Sequence, residues 1–205
     1  KMQQLFQPLK MLVPGRIQKN YKMVCAIVYF SIAFVLSCKY HLLNAQTSDY
    51  PIQPVPFYDV EICDSFWAPK IRINHEVTIP HGFTQSANRL LNFEIAAGLK
   101  SGSFASEYPF DDSDIYKMIE AASYSLHYFP DPKLEAYIDS IINIIGRAQE
   151  SDGYLYTNRT IANINHTQPH PWAGNERWVN EHILSHELYN LGHLFEAAVA
   201  YHQAT

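Results

Sequence analysis

Three places in this 205-residue sequence put polar groups where chemistry is within reach. Phe110-Asp111-Asp112-Ser113-Asp114 gathers carboxylates at the expected start of a helix. Free backbone N–H groups and the helix dipole stabilise acidic residues there, so capping accounts for them. Ionised carboxylates also accept hydrogen bonds from paired sugar hydroxyls, which keeps Asp112 and Asp114 as candidate contacts to a carbohydrate. The second place is Gln149-Glu-Ser-Asp-Gly153-Tyr-Leu-Tyr156. Its turn needs only Asp152 and Gly153, and Tyr154 and Tyr156 either wall a cleft or pack on the surface. The third is His182 to His193, HILSHELYNLGH. A zinc-peptidase helix needs His-Glu-x-x-His, and position 190 is Asn, so that chemistry is excluded. His186 and His193 are two turns apart and share a face, yet a metal would need a third ligand. For His186 alone the choice lies between a hydrogen-bonded core imidazole and a group that contacts a sugar hydroxyl. A glycosidase would set two carboxyl groups roughly 5 to 9.5 Å apart across its sugar, and Asp112, Asp114 and Glu187 are the available candidates.

These groups have to be held by helices. A polar, proline-containing linker, residues 46–54, leads into Val55 to Ile62, whose imperfect alternation predicts one short strand. Asp64-Ser65-Phe66-Trp67 opens a stretch expected to be helical after Pro69 and to end near Pro80. Thr84 is the expected cap of the next helix, through Leu90, Leu91 and Ile95, with Gly98 at its left-handed C-terminal position. Asp112 or Ser113 is expected to cap another, with Ile115, Met118, Ile119, Ala122 and Leu126 as its apolar stripe, stopped by Pro130. Asp131-Pro132 restarts a helix with Leu134, Ile138, Ile141, Ile145 and Ala148 on one side, which makes an αα-hairpin. About 25 residues rich in Asn, His, Pro and Trp then read as a long loop up to Trp178. A final helix is expected from about Val179, burying Leu184, Leu188, Leu191, Phe195, Ala198 and Val199, with Gly192 letting a neighbour approach. The pattern stops uncapped at Thr205, which reads as a cut chain. Successive αα-hairpins make an all-α domain and leave a solenoid, a bundle and an α/α toroid open.

The first 45 residues read as an address. Lys10, Arg16, Lys19 and Lys22 precede the uncharged run Val24 to Cys38, too short for a bilayer core that needs roughly 20 apolar residues. A cleaved signal peptide is expected, hence export and no stable membrane span afterwards. Cleavage falls after Ala45, or before Cys38 if the segment is a lipobox, which would leave a lipid anchor on that cysteine. The net charge of −5 supplies no basic face, which excludes nucleic acid as a partner. With Cys25 and Cys38 in the apolar run, Cys63 stands alone in the rest and builds neither a disulfide nor a multi-cysteine zinc site. Aromatic residues, 14% of the chain, are as suited to lining a carbohydrate cleft as to filling a core.

Five motifs occur in order: Asp64-Ser-Phe-Trp67; Asn92-Phe-x-x-Ala-Ala-Gly98; Asp112-Ser-Asp-x-Tyr-Lys117 with Glu120-Ala-Ala; Ala148-Gln-x-x-Asp-Gly-Tyr-Leu155; and His186-Glu-Leu-Tyr-x-x-Gly-His193 with Glu196-Ala-Ala-Val-Ala-Tyr201. Together they resemble the N-terminal half of the catalytic domain of glycoside hydrolase family 127, over Val55 to Thr205. The resemblance implies an (α/α)6 barrel, of which residues 55–205 would be the first half, and release of β-L-arabinofuranose with retention from arabinose-containing glycans. It also implies a cysteine nucleophile, a glutamate acid/base and a zinc bound by cysteines and that glutamate, all beyond residue 205. No catalytic or metal residue is therefore assigned in this chain, and Cys63, outside the matching motifs, does not inherit the nucleophile's role. By the same resemblance His186 is the first substrate-binding candidate, followed by Asp112, Asp114, Gln149 and Tyr154. The loop with Trp172, Arg177 and Trp178 would shape the cleft rim. Two other readings remain: an α/α-barrel polysaccharide lyase or unsaturated-uronide hydrolase, and a non-catalytic carbohydrate-binding module. The 205 residues by themselves are expected to be inactive.

Overall fold

Asp64 starts the helical part of the chain. Its Oδ1 accepts the N–H groups of Phe66 at 2.7 Å and Trp67 at 2.6 Å, and these bonds hold its carboxyl below the usual carboxylate range. The computed structural model describes residues 52–205, of which Val55–Thr205 form a compact unit. The apolar run Val24 to Cys38 and both expected cleavage points lie outside the described residues. None of the described helices is long and apolar enough to cross a membrane.

Helix α1, Trp67–Ile73, passes directly into a π turn, Asn74–Thr78, and then into α2, Ile79–Gln85. The expected stop near Pro80 does not occur. Pro80 falls in the first turn of α2, just after the widened π turn, which absorbs the hydrogen bond a proline cannot donate. Thr84 is likewise no cap. It lies inside α2, where its hydroxyl donates to the Pro80 carbonyl at 3.0 Å, and the break comes at Ser86. Helix α3, Ala87–Ala96, ends as the sequence predicts, with Gly98 at φ 69°. Gly98 N–H donates to Ile95 O at 3.0 Å and Leu99 N–H to Glu94 O at 2.9 Å, the paired bonds of a Schellman turn.

The strand expected between Val55 and Ile62 is absent, and no strand occurs among the described residues; the segment holds a single 3-10 turn, Phe57–Asp59. Pro54 and Pro56 cannot donate to a ladder, and the segment is fastened through side chains instead. The Phe57 ring meets Tyr124 edge-on at 4.9 Å, and the Tyr128 hydroxyl donates to Val60 O at 2.8 Å.

The core is the hairpin of α4, Asp112–Tyr128, and α5, Pro132–Ala148. Asp131 caps α5, its Oδ1 accepting Lys133 N–H at 2.9 Å and Leu134 N–H at 3.2 Å, with Pro132 at the first helical position. The α5 stripe packs as predicted: Ile138, Ile141, Ile145 and Ala148 are buried, with Leu134 partly so. From α4, Ile115, Ile119, Ala122 and Leu126 join the same core, together with Phe93 of α3. Each fully buried Ile, Leu or Phe side chain among them contributes roughly 1.5–3 kcal/mol.

Several expectations for the second half are corrected. The long loop contains a helix, α6, Thr157–Ile164. The last helix, α7, spans Glu187–Ala204 rather than starting near Val179. Its buried residues are Glu187, Asn190, Ala197 and Ala200, whereas Leu188, Phe195 and Val199 are each more than half exposed. Ala197 and Ala200 face inward because α7 packs closely against α4, and close approach leaves little room for Leu or Phe. Among the described residues, nothing beyond its own helix backbone lies within 4 Å of where a Cβ would stand on Gly192. Ile119, Ile142, Ile145, Leu194, Ala197 and Tyr201 line a groove of about 370 Å³ along α4, α5 and α7.

Candidate functional site

Helix α6 has little apolar sequence, yet Thr157, Asn158, Arg159 and Thr160 are all buried. A buried polar helix needs partners, and Asp112 is the first of them. Neither Asp112 nor Ser113 is the N-cap of α4; Asp111 holds that position, without a side-chain cap bond. Asp112 reaches across to α6: Oδ2 accepts Thr157 N–H at 2.8 Å and Oδ1 accepts the Thr157 hydroxyl at 2.5 Å. It thus caps a helix 45 residues further along the chain. Burial pushes its carboxyl up to about 7, against the pull of the two Thr157 donors.

The second partner is Arg159. Its guanidinium donates to the carbonyls of Gly174 at 3.0 Å, Ala173 at 2.8 Å and Glu176 at 3.0 Å, and its Nε to the Tyr154 hydroxyl at 3.0 Å. This one side chain fixes the path of residues 173–176. Tyr154 in turn donates to Glu187 Oε1 at 2.5 Å, and burial followed by that bond raises its phenol well above the ordinary tyrosine range. On the outside of the same segment, Arg177 pairs with Glu150 and Asp152 at 2.5 Å each and lies over the Tyr154 ring at 3.9 Å. The Arg177 guanidinium holds the Asp152 carboxyl below its usual range.

His186 is the N-cap of α7, in the left-handed region at φ 52°, ψ 35°. Its ring meets Phe110 edge-on, 4.6 Å between centroids, and approaches Tyr189 at 6.1 Å. Phe110 is one of three nearly parallel rings: Tyr108 lies 5.7 Å from it at 13°, and Trp172 lies 5.5 Å from Tyr108 at 16°. Trp172 and Tyr108 each remain 37% exposed, so this aromatic surface can be reached from solvent beside His186. Flat, part-exposed rings offer apolar area to the C–H face of a sugar, and the imidazole offers a hydrogen bond to its hydroxyls.

The other sequence candidates surround this point in different ways. Asp114 pairs with Arg89 at 3.3 Å and Lys117 at 3.7 Å, and Lys117 lies over the Tyr189 ring at 5.1 Å, linking Asp114 by contacts to the His186 neighbourhood. Gln149 donates from Nε2 to Gly153 O at 2.9 Å, within the turn that Asp152 and Gly153 form. Tyr154 and Asp112 are buried with their polar atoms on Glu187, Arg159 and Thr157. Sequence reasoning did not single out Tyr108, Phe110 or Arg159. The first two were legible as aromatic residues beside the acidic cluster; nothing in the pattern marks Arg159.

His193 does not act with His186. Its Nδ1 lies 3.1 Å from Glu196 Oε2, and Glu120, His193 and Glu196 bring one ligand atom each within 4.8 Å of one another. Among the described residues Cys63 is the one cysteine, and it is exposed. A zinc held by several thiolates does not fit this donor set.

The comparisons with known proteins agree with the helical scaffold. The model of the β-L-arabinofuranosidase GH127 catalytic domain matches residues 59–205, which makes this a glycosidase-type helical domain. The chain belongs to the GH127 β-L-arabinofuranosidase family. It is 42% identical, over 121 residues, to a non-reducing end β-L-arabinofuranosidase of Bifidobacterium longum subsp. longum; the match takes in 58% of this chain and 17% of that protein. A solved GH127 β-arabinofuranosidase superposes with a TM-score of 0.69 at 50% identity, over 76% of this chain and 24% of its own. A GH127 β-L-arabinofuranosidase from Geobacillus stearothermophilus T6 does so with a TM-score of 0.63 at 38% identity, over 71% and 22%. The chain therefore spans about a quarter or less of the relatives it matches.

Proposed function

We propose that this chain supplies one part of the wall of a retaining β-L-arabinofuranosidase, with His186 as a sugar-contacting residue at the mouth of an (α/α)6 barrel. The observation that carries the reading is the placement of His186 against Phe110, beside the reachable faces of Tyr108 and Trp172. Asp114, Gln149, Asp112 and Tyr154 shape the surroundings, the last two through buried bonds. The outward Leu188, Phe195 and Val199 of α7 and the apolar groove beside it support further helices packing there, as a closed toroid requires. The substrate class is an arabinose-containing glycan. The cysteine nucleophile, glutamate acid/base and zinc that the family resemblance implies belong to sequence beyond these 205 residues. Export through the basic and apolar N-terminal segment is part of the same proposal.

The test is release of L-arabinose from a β-L-arabinofuranosyl aryl glycoside by the natural protein that contains this chain. Activity that falls at least tenfold in His186→Ala is the expected result, in line with loss of a bond to the reacting sugar. Turnover of the wild type with unchanged kcat/KM in that variant would remove His186 from the site. The 205-residue chain alone is expected to release nothing.

A further inference from the structure

Glu187 is buried to 2% exposure at the first position of α7. An acid at that position ordinarily faces the free N–H groups of its own helix. This one faces backwards. Oε1 accepts the Tyr154 hydroxyl at 2.5 Å and lies 3.8 Å from Arg159 Nη2; Oε2 accepts Trp178 N–H at 2.9 Å and the Ser185 hydroxyl at 2.9 Å. Ser185 is itself fixed from a second side, its carbonyl accepting the Tyr156 hydroxyl at 2.7 Å. Ser185 and Glu187 flank His186, so the backbone is pinned immediately before and immediately after the imidazole.

Two physical arguments give this arrangement a purpose beyond cohesion. A left-handed backbone at a non-glycine residue persists only where its surroundings over-determine it, and His186, at φ 52°, has those bonds on both sides. A buried carboxylate with a guanidinium partner is seldom more stable than apolar residues of equal volume, so its value lies in the geometry it imposes. Arg159 joins the same cluster and, through the carbonyls of Ala173, Gly174 and Glu176, also holds the segment that presents Trp172. One buried network thus sets both the imidazole and the aromatic face beside it.

We propose that Glu187, with Tyr154 and Arg159, is a positioning residue that orients His186 toward Phe110 and the sugar, without touching substrate itself. The inference rests on the reading of His186 as a sugar contact, and its test separates the two. In the natural protein that contains this chain, Glu187→Gln and the milder Tyr154→Phe are each compared with wild type in the His186 and the His186→Ala backgrounds. Positioning predicts that kcat/KM falls by roughly tenfold in the first background, the worth of one hydrogen bond to a charged group, and hardly at all in the second. Equal falls in both backgrounds, or no fall in either variant while His186→Ala is impaired, would overturn the positioning role. A wild type that releases no L-arabinose would overturn the glycosidase reading instead.

A second measurement stands without activity. In the natural protein that contains this chain, the His186 ring Cε1–H resonance and its cross-relaxation to Phe110 are expected to change in Tyr154→Phe while far-UV circular dichroism stays at the wild-type level. An unaltered His186 signal in that variant would sink the proposal. Should Glu187→Gln fail to fold, Tyr154→Phe carries both measurements, since it removes a single hydroxyl.

Discussion

The hairpin of α4 and α5 and the stretch from Glu150 to Glu187 are built on different terms. In the hairpin, Ile115, Ile119, Ile138 and Ile141 interlock, and the buried polar groups are few and confined to α4, namely Asp112, Ser113, Ser123 and Ser125. In the later stretch Thr157, Asn158, Arg159 and Glu187 are buried beside Tyr156, Ile161 and Ala173, and much of the order comes from directed bonds to particular carbonyls and hydroxyls. Apolar packing tolerates small shifts because dispersion has no preferred direction. A hydrogen-bonded interior fails when one partner moves, but while intact it fixes atoms to within a bond length. The chain uses the tolerant construction for its base and the exacting one beneath His186.

That contrast can be broken most forcefully in the apolar part. Phe93 is fully buried, with its ring 5.6 Å from Tyr116, and Phe93→Ala is expected to lower unfolding stability by roughly 3–5 kcal/mol. Urea denaturation checks it; a loss below about 1 kcal/mol would mean that the core collapses around the gap.

The joint between the two regions is Asp112, and its signature is a pH slope. Its carboxyl titrates at about 7 in the folded chain, above the ordinary 3.8. Between those values the folded state keeps a proton that the unfolded state has lost. Stability therefore falls as pH rises from about 4 to about 7 and is level above that, by no more than roughly 4 kcal/mol in all. Asp112→Asn keeps the shape, accepts from Thr157 N–H and carries no charge. Its thermal midpoint is expected to lose this slope, and an undiminished slope in the variant would place the titrating group elsewhere.

The smallest effect belongs to the outer face of the polar stretch. Arg177 pairs with Glu150 and Asp152 where solvent reaches all three, so Arg177→Ala is expected to cost less than about 1 kcal/mol, and less still at high salt. A loss as large as that of Phe93→Ala would show that the bonds around Tyr154 depend on its guanidinium cover.

The same division explains what could be read from sequence. Helices α4 and α5, the stop at Pro130, the Asp131-Pro132 restart and the turn at Gly98 were legible because each follows from local pattern: a 3.6-residue stripe, a cap, a glycine with positive φ. Helix α6 was not, because TNRTIANI is short, buries only Ile161 and Ala162 as apolar residues, and is held by Asp112, whose carboxylate comes from 45 residues away. The inward face of α7 was misread for a related reason. Leu188, Phe195 and Val199 look like core residues, but close contact with α4 selects Asn190, Ala197 and Ala200. Of the candidate site, the His186 motif and the acidic cluster were visible by resemblance. Their setting, with Phe110 on one side and a buried glutamate network behind, depends on tertiary partners that no spacing rule names.

The left-handed backbone at position 186 also restricts which codons can replace it. Most L-residues would meet a steric cost of roughly 1–2 kcal/mol there, and β-branched ones more, whatever their chemistry. Drift that spares the fold is channelled toward Gly, Asn or Asp, none of which offers an imidazole. On the proposed role of His186, shape and a sugar contact make separate demands on one position, and the residues that best satisfy the first lose the second.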